Sequence, residues 1–187
     1  MLITTQTKNI LAFYSPYPRA GKTTAALYIK DIISDSEVLS FSTPIKEFVN
    51  KVLIKLKDDN EDTYKDTPIE QLKRITKRDL YTSIANSARS VYPDIWVDYL
   101  HNQIENSNHH FIIIDDLRFP NECNMLMSLE AKIVRITNPN REVVKSESEG
   151  LLEDNYSFDY EIENRKQTFD DYYLDLNELI SSNYITV

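Results

Sequence analysis

Two short stretches of this chain carry residue types that could handle phosphate. The first is AFYSPYPRAGKTTAALYI, residues 12–29, in which Gly21-Lys22-Thr23 join an apolar run to a helical pattern. Consecutive backbone N–H groups that curl around an anion at a helix N-terminus make a phosphate-binding loop, and the helix dipole favours the same charge. The donors here would be those of Arg19, Ala20, Gly21, Lys22, Thr23 and Thr24, none of which is proline. Lys22 would place a point charge on the β- and γ-phosphates of a nucleotide, and the Thr23 hydroxyl would ligate Mg²⁺. Pro16 stands where such loops carry their first glycine. Proline lacks the N–H and fixes φ near −65°. Pro16 and Pro18 fall in the approach to the loop, ahead of most of the cradle, so the expectation is a stiffened approach and a working anion site.

The second stretch is IIIDDLRFPNE, residues 112–122. An apolar run ending in two carboxylates reads as a buried central strand, with Asp115 or Asp116 at its end to hold Mg²⁺ directly or through water. Arg118 lies two residues beyond, within reach of a second phosphorylated group.

These stretches need elements to position them. NILAFYS (9–15) reads as a short buried strand, followed by a helix over about 22–34 with Ala25, Ala26, Ile29 and Ile33 facing inward. EVLSF (37–41) is a second strand. Thr43 caps a helix with Pro44 at its first position, and Ile45, Phe48, Val49, Val52, Leu53 and Leu56 form its apolar stripe. Residues 57–65 are acidic and polar, an exposed loop, and Thr67 to Glu70 make a capping box. Helices are expected over about 79–90 and from Pro93, the latter with Trp96, Leu100 and Ile104 on one face. KIVRIT (132–137) and DYEIEN (159–164) complete a set of five strands. Residues 138–157 read as a mobile flap, and Thr168 caps a last helix carrying Tyr172, Tyr173, Leu176, Leu179 and Ile180. Strands alternating with helices predict an α/β domain with a parallel sheet, whose ligands sit at the carboxyl ends of the strands. Both phosphate-handling stretches fall at that edge.

Composition narrows the partners. The net charge of −9 speaks against a nucleic-acid-binding protein, which needs a basic surface, but not against a small phosphorylated ligand. No apolar run is long enough to span a membrane, and MLITTQTKN lacks the layout of a signal peptide. The single cysteine, Cys123, excludes an internal disulfide, and a cytoplasmic setting is the expectation. Only two glycines occur, where average usage near 7% would give about a dozen. One of the two stands directly before Lys22-Thr23. The twelve tyrosines leave a homodimer interface open.

Four stretches in order, GKTT (21–24), STPIKEF (42–48), YPDIW (92–96) and DLRFPNE (116–122), make the chain resemble the deoxynucleoside monophosphate kinases of tailed bacteriophages, relatives of the adenylate and thymidylate kinases. The similarity runs from about Asn9 to Ile180, and DLRFPNE is its most specific piece. The chain departs from the family pattern at Pro16, at Thr23-Thr24 for the commoner Asp-Thr, and at Asp115, where a small residue is usual.

The resemblance implies a single domain over 1–187 with a three-layer P-loop NTPase fold: a central five-stranded parallel sheet flanked by helices, an acceptor-binding helical region over 43–106 and a lid over 138–157. It implies transfer of the γ-phosphoryl of ATP to a deoxynucleoside monophosphate, with ATP and Mg²⁺ as cofactors. Arg19 to Thr24 would hold the ATP phosphates, with Lys22 as the catalytic cation. Thr23 and Asp116 would support Mg²⁺, with Asp115 as second choice. Lys46, Arg78, Arg89 and Arg118 would hold the acceptor monophosphate and its base. Trp96 and Phe119 would stack on that base or, as their apolar spacing suggests, belong to the core. Arg135 and Arg141 at the base of the lid would touch the transferring phosphate or the adenine, although this lid is acidic. Asn164, Arg165 and Lys166 lie where adenine rests. Two alternatives stay open: a non-catalytic nucleotide-binding protein, and a kinase for another small phosphorylated acceptor.

Overall fold

A computed structural model describes residues 8–52, 75–138, 150–165 and 169–182. The chain divides into two compact units, one of residues 1–40 and 100–187, the other of residues 41–99. A single domain was expected, with a helical region over 43–106, and the second unit falls largely within that region.

The first unit is built on a sheet. Its strands are β1 (Asn9–Tyr14), β2 (Ser36–Leu39), β3 (Phe111–Leu117), β4 (Lys132–Thr137) and β5 (Tyr160–Glu163). They lie in the order β2-β3-β1-β4-β5, and every neighbouring pair is parallel. This is the five-stranded parallel sheet that alternating strands and helices predict. The chain therefore adds β3 and β2 on one side of β1 and β4 and β5 on the other. The crevice at the carboxyl end of β1 is where open α/β sheets bind ligands.

The helices are α1 (Lys22–Ile32), α2 (Thr43–Val52), α3 (Lys77–Val91), α4 (Ile95–Asn106), α5 (Pro120–Ser128) and α6 (Phe169–Ser181). Alternate strand residues Leu11, Phe13, Phe111, Ile113, Val134, Ile136 and Ile162 join Ala25, Ala26 and Ile29 of α1 and Tyr172, Leu176 and Leu179 of α6 in one apolar cluster. The side chains between them, Ile10, Ala12, Ile112, Ile114 and Ile133, are buried as well. Burial on both faces is why β3 reads as an unbroken apolar run. Tyr28 of α1 stacks on Tyr173 of α6 with ring centroids 4.3 Å apart and donates to Asn177 Oδ1 at 3.0 Å, which fixes α6 against α1.

The β1–β3 register carries an irregularity. Ala12 pairs with Ile114 and Tyr14 with Leu117, so β3 advances one residue more than β1. The extra residue falls on the Asp115-Asp116 pair. Such insertions re-aim side chains and are common beside active sites.

In the second unit α2 packs against α3. A capping box starts α3: Asp79 N–H donates to Thr76 Oγ1 at 3.1 Å, and Thr76 N–H donates to Asp79 Oδ2 at 2.8 Å. The Trp96 indole N–H donates to the Ala85 carbonyl at 3.2 Å and ties the start of α4 to α3.

The structure corrects several expectations. The first bond of α2 closes on the Ser42 carbonyl, so Thr43, expected as the cap, is instead the first residue of the helix. On its stripe Ile45 and Val49 are buried, but Phe48 is 53% and Val52 63% exposed. The i, i+4 row of Ile45 and Val49 is covered, and the adjacent row of Phe48 and Val52 on the same stripe faces water. Helix α3 begins at Lys77 rather than near Asp79, and α5 follows β3 where no helix was assigned. The second half of the expected flap is a packed turn in which Leu152 has no exposed surface. Residues 57–65, the Thr67–Glu70 box, Leu53, Leu56, Thr168 and the flap residues 139–149 lie outside the described residues. Among the described residues no helix is long and apolar enough to cross a membrane.

Candidate functional site

Strand β1 ends at Tyr14 and the chain turns at once. Ser15 is buried, and its hydroxyl accepts the Tyr17 N–H at 3.2 Å. Arg19 takes φ 57° and Gly21 φ 104°, both left-handed. For arginine that conformation costs about 1–2 kcal/mol, which the surrounding structure must hold. Gly21 sits at the N-cap of α1, and its carbonyl accepts the Ala25 N–H at 2.9 Å. It has no side chain to cap the first turn, and an uncapped helix start of this kind suits an anion. Lys22, the first residue of the helix, is 8% exposed.

The reverse side of the turn is gripped from the C-terminal part of the chain. Asn164 Nδ2 donates to the Ala20 carbonyl at 2.8 Å, and the Tyr172 hydroxyl donates to the Gly21 carbonyl at 3.1 Å. The Asn164 N–H donates to the Thr137 carbonyl at 2.8 Å, which anchors this residue at the ends of β4 and β5. Burial pushes the Tyr172 phenol above its ordinary range, so it stays a neutral donor.

The Thr23 hydroxyl donates to Asp115 Oδ2 at 2.9 Å, and the Ser40 hydroxyl makes a close hydrogen bond to Asp115 Oδ1. Both carboxylate oxygens of Asp115 are thus held by hydroxyls from α1 and from the end of β2, and the residue is 9% exposed. Of the two candidate carboxylates, the structure brings Asp115 to Thr23, where the sequence order of preference put Asp116 first. The extra residue in β3 sets that choice. Ser40 was not foreseen, because a lone serine at a strand end carries no sequence signal.

Glu122 was also not foreseen. It is 2% exposed, and one oxygen accepts the N–H groups of Arg118 at 3.0 Å and Phe119 at 3.1 Å. This fixes the turn from β3 into α5 and sets where half-buried Arg118 and Phe119 leave the backbone. The signal was present in DLRFPNE: proline opening a helix with glutamate two residues later is a helix start.

Arg135 on β4 is held by carboxylates. Its Nε donates to Glu153 Oε1 at 3.0 Å, a second N–H reaches the other Glu153 oxygen, and Nη1 lies 3.3 Å from Glu161. Its guanidinium lies 5.7 Å from the centroid of the Phe158 ring, which stacks on Tyr14. The hydrogen bond with Glu153 raises its pKa further. Arg165 pairs with Glu163 at 2.7 Å on the surface. Asn164, expected beside adenine, turns its amide to the Ala20 carbonyl. Arg141 and Lys166 lie outside the described residues.

Lys46, Arg78, Arg89 and Trp96 belong to the second unit, Lys46 on α2 and the two arginines at opposite ends of α3. Arg78 and Arg89 lie eleven positions apart on one helix, roughly 16 Å along the axis.

Among the described residues no group of three or more His, Cys, Asp or Glu is arranged to hold a metal ion. A hydroxyl beside a carboxylate, as in Thr23 and Asp115, is nevertheless a fitting partial donor set for a hard cation that takes its remaining oxygens from phosphate and water. No model of a protein family matches the chain, and no curated protein matches it.

Proposed function

We propose that this chain is a P-loop kinase that transfers the γ-phosphoryl of ATP to a deoxynucleoside monophosphate, giving the diphosphate. The observation that carries the reading is the Thr23–Asp115 hydrogen bond behind an α1 start with Gly21 left-handed and Lys22 next to it. The parallel sheet, with β1 flanked by β3 and β4, supports it. So does the order of the four sequence stretches by which the chain resembles the phage kinases.

In this reading the backbone of Arg19 to Thr24 binds the β- and γ-phosphates, and the Lys22 ammonium neutralises charge that spreads over the transferring group. Thr23 and Asp115 would hold Mg²⁺, whose charge would screen the repulsion between the phosphates. Arg118 orients the acceptor phosphate. An oxygen of the acceptor phosphate forms its bond to the γ-phosphorus as the bond to the β-bridging oxygen breaks, and no covalent enzyme intermediate is needed. Catalysis then rests on alignment and charge neutralisation. A phage-encoded enzyme of this kind would work in the host cytoplasm, supplying precursors for DNA synthesis.

The test is ADP formation from ATP and Mg²⁺ with each of the four deoxynucleoside monophosphates, beside Lys22→Ala. Turnover with one or more acceptors that disappears in the variant is the expected result. ATP binding without turnover on any of them would leave a nucleotide-holding protein instead.

A further inference from the structure

We propose that Asn164 and Tyr172 are positioning residues that aim the N–H groups of the β1–α1 turn at the phosphates. The inference rests on the nucleotide-binding reading above and adds to it the part of the chain that shapes the turn.

No described peptide bond is cis, so each carbonyl and the N–H that follows it point to opposite sides of one plane. Asn164 Nδ2 holds the Ala20 carbonyl at 2.8 Å, which turns the Gly21 N–H away from Asn164. The Tyr172 hydroxyl holds the Gly21 carbonyl at 3.1 Å, which turns the Lys22 N–H away from Tyr172. Two consecutive N–H groups are thereby oriented by their carbonyls. Both donors are themselves fixed: Asn164 through Thr137, and Tyr172 by burial in the cluster that joins α6 to α1 and the sheet.

The clamp also accounts for the glycine. A Cβ on Gly21 would lie 2.8 Å from Asn164 Nδ2 and 3.2 Å from the Tyr172 hydroxyl oxygen, and its φ of 104° is one that side chains rarely adopt. Glycine at this position lets the two donors close on the carbonyl side of the turn. The Asn164 amide, committed to that carbonyl, acts on the nucleotide through the loop.

The test uses the full chain with Tyr172→Phe, which keeps the ring and removes one donated hydrogen, and Asn164→Asp, which replaces the donor with an acceptor. Each variant is first checked for a cooperative thermal transition. Backbone amide exchange over residues 19–24 is then read without nucleotide, and KM for ATP is separated from kcat. Loss of one such bond predicts exchange faster by about tenfold in the turn, with β3 unchanged, and KM for ATP raised about tenfold with a smaller change in kcat. Folded variants with wild-type exchange over 19–24 and wild-type KM overturn the clamp. Should the aspartate variant fail to fold, the phenylalanine variant decides alone. A wild-type chain that binds no ATP overturns the nucleotide reading, and the exchange measurement still reports whether the two side chains hold the turn.

Discussion

Thr23 and Asp115, 92 positions apart in the sequence, are joined by a 2.9 Å hydrogen bond in which the hydroxyl donates to the carboxylate. The direction of that bond matters. A hydroxyl whose hydrogen points at Asp115 presents its lone pairs elsewhere, which is the orientation a cation ligand needs. Ser40 holds the other oxygen of the same carboxylate and keeps it from rotating.

Asp115 and Asp116 should therefore separate in kinetics. Asp115→Asn is expected to lower kcat about 10²-fold or more, the scale of losing one preorganised electrostatic group, while Asp116→Asn costs less than about tenfold. Ser40→Ala, which removes one hydrogen bond to a carboxylate, should fall between them. Steady-state assays over a range of Mg²⁺ concentrations read all three, and equal losses at Asp115 and Asp116 would contradict the assignment.

Glu122 predicts a stability effect. Its removal leaves the Arg118 and Phe119 N–H groups without the carboxylate that accepts them in a half-buried turn. Glu122→Ala should lower urea stability by about 2–3 kcal/mol and Glu122→Gln, which keeps an acceptor, by about half as much. A neutral Glu122→Ala would mean that the turn is set by something else.

Leu152 tests the packed part of the 150–157 turn. With no exposed surface, its truncation to alanine should cost about 2–5 kcal/mol. Its neighbour Leu151 is 37% exposed, and the same change there should stay within about 0.5–1 kcal/mol. Denaturant unfolding of the two variants makes the comparison, and similar costs would argue that the turn is not packed.

Cys123 gives a pH dependence. Burial first, then the neighbouring Glu122 carboxylate, push its thiol from an ordinary value of 9.0 up to about 11. A raised folded pKa means that the folded state keeps its proton when the unfolded chain has lost it. That contribution is complete below pH 9 and is lost as pH rises from 9 towards 11, on the order of 2–3 kcal/mol in all. Melting curves of wild type and Cys123→Ala across this range should converge as pH rises. The native thiol should also resist disulfide reagents at pH 8 and react fully in urea.

Much of the frame was legible in the sequence because it depends on local pattern. Ile112, Ile113 and Ile114 mark a strand buried on both faces, Ala25, Ala26 and Ile29 mark the inner side of α1, and Gly21-Lys22-Thr23 marks a helix start suited to phosphate. Helix α5 was equally local, signalled by Pro120 and Glu122. Neighbouring side chains on a stripe, such as Phe48 beside Ile45 and Val49, share one pattern whether or not a partner helix covers them. The rest could be decided only in three dimensions. Which of two adjacent aspartates meets Thr23 depends on a register shift between β1 and β3, and strand pairing leaves no trace in either strand alone. That Asn164 and Tyr172 hold Ala20 and Gly21 depends on the C-terminal strand and helix returning to the first turn across 144 and 151 positions. Residue type names the groups able to donate, accept or carry charge, but a hydrogen bond acts over about 3 Å, and only the folded backbone brings such distant groups that close.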